Sequence, residues 1–215
     1  MTQPESEIRS TWRHVAGPHH DGYVDSLLIR YAEPHRRYHT ATHIMLTIRH
    51  LHDMCRAAGS EASPEVLAAA LYHDAIYDPT ADDNEARSAD IAVGQLTDVG
   101  WPAVRCDTVA AMILATAGHV SPGTANYDDV DTTLLLDADL AILGAEPAAY
   151  QSYVNGVRAE YSHVDDGAWL TGRSVVLHRF LERPRLFATQ YMHDTYEHRA
   201  RANIQAELAS LRRDG

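Results

Sequence analysis

The sequence predicts an all-α protein, a compact bundle of irregularly packed helices. Three observations predict it. Apolar residues recur at i, i+3 and i+4 over long stretches, which is the one-sided stripe of an amphipathic helix. Capping and proline signals bracket those stretches. No run shows the alternating pattern of a half-buried strand. The 215 residues carry no Pro/Gly/Ser-rich linker, no internal repeat and no low-complexity tract, so one domain over 1–215 is expected, with the C-terminal helices packed onto the core. A hydrophobic share of 45% is enough to build that core and argues against disorder.

The spacing places helices near 5–15, 22–32, 40–58, 64–77, 83–98, 102–117, 131–144, 146–163, 167–182 and 187–212. Thr40 is positioned to cap the third. Ser63-Pro64 reads as an N-cap followed by a first-turn proline. Asp82 and Glu85 have capping-box spacing, with Asp in place of the usual Ser or Thr. Gly100 stops that helix and Pro102 opens the next. Val109, Met112, Ile113 and Thr116 form one stripe; Val176, Leu177, Phe180 and Leu181 form another. Ile204, Leu208 and Leu211 form a third. The polar stretch His119–Val130 is the longest expected loop.

The formal net charge is −12. An acidic chain repels nucleic acid and anionic membranes, while a local basic pocket could still hold a small anion. All 18 basic residues are Arg, which excludes a Walker-type P-loop and any Schiff-base mechanism, since both need Lys. Cys55 and Cys106 form no paired motif and read as reduced thiols. The polar N-terminus does not resemble a signal peptide, and no apolar run is long enough to span a membrane. A cytoplasmic protein is expected.

Fourteen histidines make chance pairings inevitable. The dipeptide His-Asp occurs at His20-Asp21, His52-Asp53, His73-Asp74 and His193-Asp194. Only His73-Asp74, in "VLAAALYHDAIYD", has apolar neighbours. Burying a carboxylate there costs several kcal/mol, roughly, unless a partner compensates. A metal cation would do so; a hydrogen-bonded His–Asp pair is the alternative. A second acidic anomaly, Asp137 and Asp139 in "TLLLDADLAILG", points to a shared partner. Two residues apart on a helix, these acids project roughly 200° from each other. Asp139 shares its stripe with Leu135 and Ile142 and faces the core, whereas Asp137 lies with Thr133, Ala141 and Gly144. In "YHTATHI", His43 falls in the first turn and can point inward, while His39 lies in the entry loop. His43 is then a candidate ligand. His39 is a candidate proton donor or substrate contact, or else a surface residue.

The order His43, His73-Asp74, Asp139 resembles the H…HD…D pattern of the HD superfamily of metal-dependent phosphohydrolases. The fuller set, "EPHRRYHTATHI", "LYHDAIYD", "DDNEARSAD" and "LLLDADLAILG", looks like its predicted phosphohydrolase group, over about Tyr31 to Gly144. The resemblance implies an HD-type all-α scaffold with His43, His73, Asp74 and Asp139 as metal ligands. Tyr38-His39 also resembles the start of a cyclic-nucleotide phosphodiesterase motif in which the first His protonates the leaving oxygen. Thr40 stands where those enzymes have Asn, so cyclic-nucleotide activity is not implied. Glu85 resembles a position near the family's site, where it could orient water; the capping box is its other reading. His119 could serve a second metal or complement a helix end.

Two imidazoles and two carboxylates leave open positions on a six-coordinate divalent ion. Mn²⁺ is the first choice, with Fe²⁺, Co²⁺, Ni²⁺ or Mg²⁺ compatible with the same donors. Arg36 or Arg37 could clamp phosphate oxygens, or both could be solvated charges. Hydrolysis of a nucleotide or other small phosphate ester follows. The competing functions are a di-iron oxygenase on an HD scaffold and a non-catalytic nucleotide-binding module.

Overall fold

The structure is a computed structural model that describes residues 1–118 and 130–214; His119 and the rest of the expected loop up to residue 129 lie outside the described residues. Every regular element among the described residues is helical. They run α1 (Gln3–Ala16), α2 (Asp21–Tyr31), α3 (Ala41–Ala57), α4 (Pro64–Tyr72), α5 (Asn84–Asp98), α6 (Ala103–Thr116) and α7 (Val130–Asp139). A 3₁₀ turn (Leu140–Gly144) follows, then α8 (Pro147–Glu160), α9 (Asp166–Glu182) and α10 (Gln190–Asp214). None of these helices is long and apolar enough to cross a membrane.

The centre of the bundle is α4. Every residue from Val66 to Tyr72 is buried, as expected of a helix that is apolar all round. Its three consecutive alanines let α1, α3, α6 and α7 pack closely against it. The start follows the sequence signal: Ser63 Oγ accepts the N–H of Val66 at 3.1 Å, and Pro64 occupies the first turn. Trp12, Leu27, Ile44, Leu51 and Met112 fill the surrounding layer. Cys55 and Cys106 are both buried and free.

The structure departs from the expected elements at three places. The helix expected over 64–77 ends at Tyr72: the Leu71 carbonyl accepts the Tyr31 hydroxyl at 2.7 Å, the Ala75 N–H turns back to the Tyr72 carbonyl at 2.8 Å, and the Ile76 N–H bonds to Ser88 Oγ at 2.9 Å, while the carbonyls of Asp74 and Ala75 bond to the Arg36 guanidinium at 2.8 and 3.1 Å. His73-Asp74 therefore sits in the turn that leaves α4. The Asp82–Glu85 capping box does not form. Asp83 precedes α5, and the entry is closed by Asn84, whose side chain accepts from Asp78 N and donates to Asp78 O, both at 2.9 Å. The helix expected over 131–144 tightens into the 3₁₀ turn after Asp139. There α10 supplies the donors: Asn203 Nδ2 bonds to the carbonyls of Leu143 and Ala145 at 2.9 Å, and Arg199 Nε bonds to that of Gly144.

The C-terminal helices are fixed by buried charge. Asp137 accepts the N–H groups of Ala188 and Thr189 at 2.9 and 2.7 Å, holding the entry to α10. Arg173 of α9 makes a bidentate pair with Glu207 of α10 at 2.7 and 3.1 Å. At Gly144, α10 lies so close that an added Cβ would fall 2.6 Å from Tyr196 Cβ and 2.8 Å from the Tyr196 carbonyl oxygen. Backbone cannot yield as a flexible side chain would. Gly144→Ala is expected to destabilise the protein by about 1–3 kcal/mol through overpacking. The check is a urea or thermal denaturation comparison with the wild type; an unchanged midpoint would show that α10 can move off the turn freely.

Candidate metal centre

Three separate parts of the chain deliver the candidate ligands. His43 occupies the first turn of α3 and is buried. His73-Asp74 occupies the turn that leaves α4, whose carbonyls Arg36 holds. Asp139 ends α7. His43, His73 and Asp139 each offer a ligand atom, and these atoms lie within 4.8 Å of one another. His43 Nε2 is 3.2 Å from His73 Nε2 and 3.1 Å from Asp139 Oδ1, and His73 Nε2 is 3.4 Å from that oxygen. Asp74 Oδ2 lies 3.3 Å from both imidazole Nε2 atoms.

These distances fit a metal ion. Donors held at about 2.0–2.2 Å from a common centre sit about 2.8–3.6 Å from their neighbours in octahedral or tetrahedral geometry. The tautomer also fits. His73 Nδ1 donates to the Ala70 carbonyl at 3.0 Å, so in the neutral ring Nε2 presents a lone pair to the cluster. The field favours positive charge. Burial opposes charge on both imidazoles, yet the hydrogen bonds and charges of Asp139 and Asp74 raise both pKa values, that of His73 well above the usual range. Burial would raise the pKa of Asp74, but the charges of His73 and His39 and the hydrogen bonds of His43 and His73 hold it well below the usual range. A divalent cation would supply positive charge of the kind this field favours.

The cluster opens onto a cavity of about 680 Å³, with Asp74 and Asp139 on its wall. His39, Glu85 and Arg173 also line it, and Tyr77, Tyr153 and Trp169 give it aromatic faces. Arg36 is buried: it donates to the carbonyls of His39, Asp74 and Ala75, and its Nε pairs with Glu33 at 3.0 Å. It ties the loop of His39 to the turn of His73-Asp74. Arg37 is exposed, and its guanidinium donates to the carbonyls of Pro34 and Arg36. Neither arginine is on the cavity wall, so the phosphate-clamping position expected for one of them falls outside it. Asp137 lies away from the cluster, at the entry to α10.

Sequence reasoning missed Glu160. This buried acid at the end of α8 accepts the backbone N–H groups of Arg37, Tyr38 and His39 at 2.7, 2.8 and 3.1 Å on Oε1. Its Oε2 meets His39 Nδ1 at 2.8 Å and the Tyr77 hydroxyl at 3.1 Å. One signal could have found it: Tyr150, Tyr153, Val157 and Glu160 are spaced 3, 4 and 3 apart, so the acid extends the inward stripe of α8. Burial would raise the Glu160 pKa, but the His39 bond and charge and the N–H groups of Arg37 and Tyr38 outweigh it and hold it at about 2, from 4.5.

Two predictions follow from this geometry. The protein is expected to bind a divalent metal ion, and His73→Ala and Asp139→Asn to lose it. Asp137→Asn is expected to keep the metal while lowering stability through the α10 entry. Metal content by elemental analysis, paired with thermal denaturation, checks this; the reverse pattern would make Asp137 the ligand. Second, a carboxylate whose folded pKa lies below its unfolded value stabilises the fold fully above the unfolded value. That stabilisation by Glu160 is expected above about pH 4.5 and to be lost as pH falls towards about 2. The stability difference between wild type and Glu160→Gln should shrink over that window, and a pH-independent difference would contradict it.

No protein-family model matches the chain, and comparison with curated proteins and with solved structures finds no significant match. What stands on geometry is an all-α protein with a His43/His73/Asp139 cluster able to chelate a metal ion.

Proposed function

We propose that the protein is a metal-dependent phosphohydrolase of the HD superfamily, a single helical domain acting on a nucleotide or other small phosphate ester. The observation that carries this reading is the convergence of two buried imidazoles on two carboxylates that line a cavity, with a third histidine on its wall. His43, His73, Asp74 and Asp139 would hold the ion, with Mn²⁺ the first choice for this donor set. When bound, the ion supplies Lewis-acid polarisation of a phosphoryl oxygen and a water of lowered pKa.

The chain's own residues supply the rest. Asp74 and Asp139 leave oxygen acceptors beside the reacting centre. As the bond from the attacking water oxygen to phosphorus forms, that water gives up a proton to an Asp74 or Asp139 oxygen, the bond to the leaving oxygen breaks, and His39 delivers a proton from Nε2 to that oxygen. Glu85, at the start of α5, lines the cavity and would orient water. Tyr77, Tyr153 and Trp169 offer flat apolar faces to the organic part of the substrate and help keep bulk water away.

Hydrolysis of small phosphate esters is expected to be suppressed by chelation and restored by Mn²⁺, and to fall at least about 10²-fold in His39→Gln, the lower range for loss of a positioned proton donor. A screen of phosphorylated metabolites with each divalent metal tests it. No turnover under any metal would favour a binding module, and oxygen uptake by iron-loaded protein would favour an oxygenase.

A further inference from the structure

The environment of His39 is more constrained than an exposed entry loop requires. Its ring stacks on Tyr77, with centroids 4.1 Å apart and an interplanar angle of 28°, and Tyr38 packs edge-on at 4.9 Å. Stacking sets the plane of an imidazole but not which nitrogen carries hydrogen. Glu160 sets that. An ionised carboxylate only accepts, so the 2.8 Å contact requires Nδ1 to be the donor. The opposite edge of the ring, with Nε2, is left for the cavity that His39 lines.

The second oxygen of the same carboxylate fixes the backbone beneath the ring. It gathers three successive N–H groups, those of Arg37, Tyr38 and His39. The approach needed for this is close. At Gly156, one turn earlier on α8, an added Cβ would lie 3.2 Å from Tyr38 Cβ, so the helix and the loop are in near contact. A residue that only stapled the loop would need Oε1 alone. Glu160 also commits Oε2 to the imidazole, and the Tyr77 hydroxyl that meets Oε2 belongs to the ring on which His39 stacks.

We infer that Glu160 is a positioning residue for His39: it pins the loop through Oε1 and, through Oε2, locks the ring with Nδ1 protonated and Nε2 turned to the cavity. Only the consequence for turnover rests on the phosphohydrolase reading, in which Nε2 serves the leaving oxygen.

Glu160→Gln separates the two oxygens. The glutamine carbonyl can keep the three backbone N–H groups, but its amide then points N–H at Nδ1, which must accept, and the hydrogen moves to Nε2. Nitrogen-15 spectra of histidine-labelled, chelator-treated full-length protein read this directly, with His39→Gln assigning the resonance. The wild type should show Nδ1 protonated throughout, and Glu160→Gln the Nε2–H form. A wild-type His39 in the Nε2–H form, or a spectrum unchanged in Glu160→Gln, overturns the inference. Should that variant not fold, the wild-type spectrum alone decides. Turnover supplies the second arm. With an aryl phosphate, whose leaving group needs no proton, kcat of Glu160→Gln should stay within about threefold of wild type. With an alkyl phosphate it should fall about 10²-fold, the lower range for loss of a positioned acid. Equal losses on both substrates would make Glu160 a structural staple and overturn the positioning role in catalysis. Wild-type protein inactive on both esters would instead overturn the hydrolase reading and the proton-donor role with it, while the spectra still decide the positioning of the ring.

Discussion

Arg36 donates to the carbonyls of His39, Asp74 and Ala75 while Glu33 takes its Nε. Removing a guanidinium from water costs several kcal/mol, roughly, and is tolerated only when its donors are satisfied. Here bonds take four of its five N–H donors, and the faces of Tyr31 and Tyr77 lie 5.3 and 5.6 Å from the guanidinium carbon. The arrangement solves two problems at once. A helix end leaves carbonyls without partners, and Arg36 collects those just after α4. It also joins the turn that carries His73-Asp74 to the loop that carries His39. The cluster, the cavity wall and the end of the central helix share this one side chain.

Much of the helical architecture was legible because periodicity and caps are local. The stripe of α6, the Leu177 and Phe180 part of that expected for α9 and the Ser63-Pro64 start of α4 needed no tertiary information, whereas Val176, counted in the α9 stripe, is exposed. The end of α4 was not legible: "LYHDAIYD" reads as continuing helix, and the groups that interrupt its ladder come from elsewhere in the chain, the Tyr31 hydroxyl on the Leu71 carbonyl and Ser88 Oγ on the Ile76 N–H. The Asp82–Glu85 box failed for a similar reason. Asn84 finds both a donor and an acceptor on Asp78, which fixes the chain one residue later than the capping pattern implies.

At the site, the difference between Asp137 and Asp139 was legible as direction only. Helical geometry separates the two acids, but what each meets depends on distant chain. Asp139 meets the imidazoles of α3 and the α4 turn, and Asp137 meets the N–H groups of residues 188 and 189. Glu160 was hidden because it looks like the solvated end of a helix, following Arg158 and Ala159. Its inward phase shows only when the tyrosines and Val157 of α8 are counted as one stripe. Adjacent arginines misled in the other direction. Arg36 and Arg37 are indistinguishable by neighbourhood, yet one is buried structural wiring and the other caps carbonyls at the surface.

The charge around the cavity would couple the binding of a cation to that of an anion. Asp74, Asp139, Asp82 and Glu85 line it, and the arginine on its wall, Arg173, is already bound bidentately to Glu207. An anionic ligand entering that field meets net negative charge, which a cation in the cluster would reduce. The imidazoles answer the same field by attracting protons, as their raised pKa values record. Protons and a divalent ion therefore compete for one place, since a protonated Nε2 has no lone pair to give. On the phosphohydrolase reading, a bound ion would do more than activate water. It would offset part of the negative charge that a phosphate must pass, so cation binding would favour substrate binding, and it would weaken as the imidazoles protonate.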